Sequence, residues 1–210
     1  YGDSSKYADD ALFLIGKSHY QLEEYTKAER IFDQFLIKYL KSAFIPEVKL
    51  WLGKTYIKLE KDDEALETLN SLFKQKITKE IAAESYYYLG SLHFERANYE
   101  TAIENFEKCI SLDADEEVAG SAQYKIAESF YNLEQYENAI QNFDRVLDYD
   151  LPALQHYDAL LEQVNAYIKI GDLAQAEATL KYMLRDTRFK EQYALIETKL
   201  GNVYEFDKEI

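Results

Sequence analysis

Alanine stands at Ala28, Ala65, Ala102, Ala139 and Ala176, five times at an interval of 37 residues without an insertion. No other feature of the chain restricts its fold as strongly. Four positions beyond each alanine comes a large apolar residue: Phe32, Leu69, Phe106, Phe143 and Leu180. Three positions further come Phe35, Leu72, Cys109, Val146 and Met183. A second register passes through Gly16, Gly53 and Gly90, continues at Ala127 and Val164, and returns to glycine at Gly201. Self-similarity at a fixed period marks a tandem array, in which each unit buries its apolar face only by stacking on its neighbours.

Each unit reads as two helices. Ala8, Ala11, Leu12, Ile15, His19 and Leu22 follow the 3,4 spacing of one amphipathic helix, and Ala28, Ile31, Phe32, Phe35 and Tyr39 that of a second. Short polar joins separate them at Glu23-Glu24, Lys61-Asp62, Ala97-Asn98, Glu134-Gln135 and Gly171-Asp172. Joins this short make successive helices antiparallel neighbours. Gly16 and its equivalents fall on the first helix and Ala28 and its equivalents on the second, where backbones approach closely. Glycine costs about 0.5–1 kcal/mol inside a helix, so its recurrence implies a packing reason. The two prolines agree: Pro46 falls in the first turn of a first helix and Pro152 just before another. With only 7 Gly and 2 Pro, the chain is too poor in turn residues for an all-β fold.

The quoted residues resemble the tetratricopeptide repeat pattern of aromatic, Leu-Gly, Tyr, Ala, aromatic, Ala. Tyr86, Leu89-Gly90, His93, Tyr99, Ala102, Phe106 and Cys109 follow it, as do Ile126-Ala127, Phe130, Tyr136, Ala139, Phe143 and Val146. The resemblance implies an all-α fold, a right-handed α-solenoid of antiparallel helix pairs, as a single array over residues 1–210. Units are expected near 9–45, 46–82, 83–119, 120–156 and 157–188, with a capping helix at 189–206 and residues 1–7 as the tail of a preceding unit. The period departs from the family's 34 residues and the terminal proline of the pattern is nearly absent. The three added residues are expected to lengthen the second helix or its exit loop.

Net charge is −15, divided as −4 over residues 1–110 and −11 over 111–210. Such an acidic chain disfavours unaided binding to nucleic acid or anionic lipid. At 47% hydrophobic and 15% aromatic it is too apolar for a disordered acidic segment. No apolar run approaches the roughly 18 residues that span a bilayer. The single cysteine, Cys109, excludes an internal disulfide framework and leaves the redox compartment open.

No catalytic constellation emerges, and the chain is expected not to be an enzyme. His19 and His93 share a column with Tyr56, Phe130, Tyr167 and Tyr204, which reads as aromatic packing. No Cys/His cluster has zinc-site spacing, and the glycines are too isolated for a phosphate loop. Asp113-Ala-Asp115-Glu116-Glu117 lacks the glycine and distal glutamate of a calcium loop, whose twelfth position is Tyr124. It reads as a loop and an acidic helix N-terminus. No cofactor or metal is expected.

In the resembled family, partners bind along the concave face lined by first helices. Three columns fall on that stripe at i, i+4 and i+7. They are Phe13, Leu50, Tyr87, Tyr124 and Leu161; Lys17, Lys54, Ser91, Glu128 and Asn165; and Tyr20, Ile57, Phe94, Tyr131 and Ile168. Gap-filling between first helices competes with partner contact as their role. Chaperone cofactors of the family clamp a C-terminal carboxylate from the position held here by Phe13, Leu50 and Tyr87, so that clamp is absent. The expected function is a noncatalytic protein–protein interaction scaffold holding a peptide or helix on this face, with partners basic toward the C-terminal half. Alternatives are a bacterial envelope component of outer-membrane assembly, similar to a tetratricopeptide lipoprotein, and a peptide-sensing regulatory module of a larger protein. Cytoplasm and bacterial periplasm or envelope both remain open as locations.

Overall fold

The computed structural model describes residues 8–112 and 114–209, with side chains described through Glu205. Five helix pairs follow one another: α1 (Ala8–Gln21) with α2 (Tyr25–Lys38), α3 (Ile45–Lys58) with α4 (Asp62–Leu72), α5 (Lys79–Glu95) with α6 (Tyr99–Ser111), α7 (Glu116–Asn132) with α8 (Tyr136–Val146), and α9 (Ala153–Lys169) with α10 (Leu173–Arg185). A 3-10 segment, Thr187–Gln192, leads into α11 (Tyr193–Glu209). Among the described residues no strand occurs. The expected tail at residues 1–7 lies outside the described residues, as does Asp113.

The period is kept most strictly at the turn inside each pair. Glu23, Glu60, Ala97, Glu134 and Gly171 are each 37 residues apart and all have positive φ, between 57° and 78°. This left-handed residue reverses the chain, and only the last of the five is glycine. Local chemistry starts several helices: Thr78 caps α5 by accepting from Ile81 N–H, Asp115 caps α7 and Asp172 caps α10. Pro46 sits in the first turn of α3, and Pro152 is the N-cap of α9.

The second helices run only 11 to 14 residues, whereas α5, α7 and α9 run 17 against 14 in α1 and α3. The second helices are therefore not lengthened. The joins that leave them, residues 39–44, 73–78, 112–115 and 147–152, run four to six residues against three inside each pair, as expected of the exit loop, and α5, α7 and α9 also start three residues earlier in register. Thr78 and Asp115 supply the N-caps that let α5 and α7 start earlier.

Each second helix sits between its own first helix and the next one. Ala28, Phe32 and Phe35 of α2 pack on Phe13 of α1 and on Val48 and Leu52 of α3. Phe106 and Cys109 of α6 meet Ala122 and Ile126 of α7 in the same way. All five column alanines are fully buried. At the glycine column the crossing is tight: a Cβ on Gly53 would lie 2.7 Å from Leu69 Cδ2. Phe189, Ile196 and Val203 cover Leu180 and Met183 of α10.

First helices also touch one another in succession, α1 to α3, α3 to α5 and α5 to α7, while successive second helices approach less closely. The tighter spacing puts the first helices on the inner side of the curve.

Candidate interaction surface

The three columns read from sequence have different fates. Phe13 and Leu50 are buried, only 8% and 4% exposed, and belong to the core. Phe13 lies 6.4 Å from Phe32 and 5.6 Å from Phe44, centroid to centroid. Tyr87 and Tyr124 lean on the second helices through Phe106 (5.8 Å) and Phe143 (5.6 Å), but stay half-buried. Leu161 is half-buried as well.

The third column packs across the left-handed turn. Tyr20, Phe94 and Tyr131 meet Tyr25, Tyr99 and Tyr136 edge-on at 5.3, 5.5 and 5.3 Å. Ile57 and Ile168 occupy the same column half-buried. Each aromatic keeps part of its ring open while its angle is fixed by the tyrosine five residues on.

The middle column carries the charge. Lys17 Nζ lies 4.8 Å from the Trp51 ring centroid, and Lys54 Nζ lies 4.1 Å from Trp51 and 5.2 Å from Tyr88. Lys54 also pairs with Glu84 at 3.3 Å. Cation–π contacts of this kind contribute about 0.5–2 kcal/mol each, more as water is excluded. Ser91 donates to the Tyr87 carbonyl. Glu128 is held by Lys125 at 2.7 Å, and Lys125 Nζ stands 4.4 Å over Phe94. Asn165 accepts from Lys199 at 2.6 Å and donates to Glu162.

Trp51, Tyr88 and Lys125 were not among the residues expected from sequence. They form a fourth column at the same period, one residue after Leu50, Tyr87 and Tyr124. Trp51 and Lys54 are i, i+3 neighbours, so the stripe extends further round the helix than i, i+4, i+7 spacing allows. The lone tryptophan of the chain, three residues before a lysine, was the available signal.

The surface is polar in two senses along its length. Lys17 and Lys54 mark the α1–α3 end; Glu128, Asp158 and Glu162 mark the α7–α9 end. Burial, followed by those three carboxylates, holds the Tyr124 phenol well above its usual range. Burial and then Glu162 push the Asp158 carboxyl up. A cavity of about 190 Å³ opens beside Tyr87, Tyr124 and Asp158.

The three histidines and the last junction make contacts within the fold. His19 Nδ1 lies 2.6 Å from Glu24 across the turn, and burial lowers His93. His156 Nε2 lies 3.0 Å from the Tyr149 carbonyl, and Asp186 receives Arg188 at 2.7 Å at the final junction. Among the described residues no cluster of His, Cys, Asp or Glu could hold a metal ion, and no helix is long and apolar enough to cross a membrane.

Family models described as tetratricopeptide repeat match residues 10–42 and 47–75, 83–116, and 124–190. A search of curated protein sequences gave no match. Among solved structures, the chain is similar to a MamA protein at 22% identity and a TM-score of 0.72, over 89% of this chain and 94% of that one. It is also similar to a tetratricopeptide repeat protein from Parabacteroides merdae ATCC 43184 (18% identity, TM-score 0.69, 92% and 73% covered). The apo form of RapI matches at 18% identity and a TM-score of 0.72, over 96% of this chain and 61% of that one. At these identities the likeness shows the α-solenoid fold alone.

Proposed function

Since the chain belongs to the tetratricopeptide repeat family, we propose that it is a noncatalytic interaction scaffold that holds a partner peptide or helix along the inner face of its first helices. The observation carrying this reading is the row of half-open aromatics, Tyr20, Trp51, Tyr88, Phe94 and Tyr131, fixed in angle by neighbouring tyrosines and lysines. Rings held in place give large contact area at little entropic cost on binding. Lys17, Ser91, Glu128 and Asn165 lie beside them as polar contacts that set register. The charge order favours a segment whose acidic part meets Lys17 and Lys54 and whose basic part meets Glu128 and Glu162.

The test uses 12-residue peptides selected from a random display library on the wild-type protein. Trp51→Ala and Tyr131→Ala should each weaken the selected peptides about tenfold, while Tyr182→Ala on the outer side leaves them unchanged. Circular dichroism establishes that each variant is folded. Unchanged affinity in both inner-face variants removes this surface as the binding site.

A further inference from the structure

We propose that the cavity between α5, α7 and α9 is a subsite for an arginine side chain of the partner segment, which deepens the inner-face reading above and rests on it. Tyr87 of α5 and Tyr124 of α7 form its walls, and Ser121, Gln155 and Asp158 add polar groups. Both rings are fixed from behind, by Phe106 and Phe143, so the cavity does not depend on a partner to shape it.

Charge selects a cation here. Asp158, Glu162 and Glu128 all act on the Tyr124 phenol. Among the described residues one cation, Lys125, lines the cavity, and its Nζ is committed to Glu128 at 2.7 Å and to the Phe94 ring. Asp158 makes no hydrogen bond or ion pair among the described residues, and it is exposed at the rim. Its carboxylate is thus a free acceptor beside two phenol rings.

Geometry selects arginine over lysine. A guanidinium is planar, stacks on aromatic faces and spreads its donors across a fork, whereas an ammonium concentrates three donors at one point. Here the acceptors are spread: the Asp158 carboxylate and the Gln155 amide oxygen lie on α9 and the Tyr124 hydroxyl on α7. The volume of about 190 Å³ exceeds what a bare ammonium fills.

Peptides from the display selection are titrated by calorimetry against wild type and Asp158→Asn. Asp158 is exposed and unpartnered, so the substitution should leave the thermal midpoint unchanged. Selected peptides should share one arginine, and its replacement by the neutral isostere citrulline should weaken binding about tenfold. Asp158→Asn should cost about as much, and citrulline should then cost little more, because both changes remove one contact. If citrulline peptides bind as well as arginine peptides, or Asp158→Asn changes nothing while Trp51→Ala still weakens binding, the subsite is overturned and the wider reading stands. If no selected peptide responds to any inner-face substitution, both are overturned.

Discussion

Gly90 lies directly beneath the ring of Phe106, close enough that a Cβ on residue 90 would sit 2.8 Å from two ring carbons. Gly201 occupies the same column three periods later and has nothing within 4 Å of that position. Identical residues at one register therefore do different things. Gly90→Ala should lose about 1 kcal/mol, because the ring clash outweighs the helix propensity gained. Gly201→Ala should gain about 0.5–1 kcal/mol, having only the propensity. Chemical denaturation measures both, and a gain at residue 90 equal to that at 201 would remove the packing explanation.

The left-handed residue of each turn makes a second pair. Ala97 has φ 57° and carries the Cβ penalty of that region, whereas Gly171 at φ 78° does not. Ala97→Gly is expected to raise the thermal midpoint, by the equivalent of about 0.5–1 kcal/mol. Gly171→Ala is expected to lower it by a similar amount. Opposite signs in differential scanning calorimetry support the conformational cause; equal signs contradict it.

Ile15 and Leu52 are equivalent by period but not by environment. Leu52 is 3% exposed because α2 covers it, and Ile15 is 46% exposed on the outer face of α1. Leu52→Ala should cost about 2–5 kcal/mol and Ile15→Ala less than about 1 kcal/mol. Comparable losses in urea titrations would mean that α1 has a cover of its own.

Cys109 is fully buried in the column that elsewhere holds Phe35, Leu72, Val146 and Met183. Burial, with a smaller contribution from Glu84, pushes its thiol up to about 12. A disulfide reagent at pH 8 should therefore label Cys109 only as fast as the array opens, and promptly in denaturant. Rapid labelling of the folded protein would contradict this burial.

The array itself was legible in the residues because each column repeats one physical demand at a constant interval. Ala139 is small for the same reason as Ala28: a helix crosses it closely, so Ala139→Leu should cost roughly 1–3 kcal/mol. The inner face was legible only in part. Periodicity reports which residues share a register, and Phe13 and Tyr87 share one, yet Phe13 is sealed by Phe32, Phe35 and Phe44 while Tyr87 keeps an open edge. Single-helix geometry puts Trp51 off the i, i+4, i+7 stripe, so periodicity alone does not mark it.

What the sequence determined alone is the unit, its period, its two helices and the crossings marked by glycine and alanine, since all of these are local or nearest-neighbour demands. Which side chains of a column remain open, where Lys17 finds Trp51 and Lys54 finds Tyr88, and where Asp158 and Glu162 come to face Tyr124 were decided by tertiary structure. Those contacts join residues of successive units about 30 to 40 positions apart, and the tilt and curvature of the stack that bring them together are encoded in no single repeat.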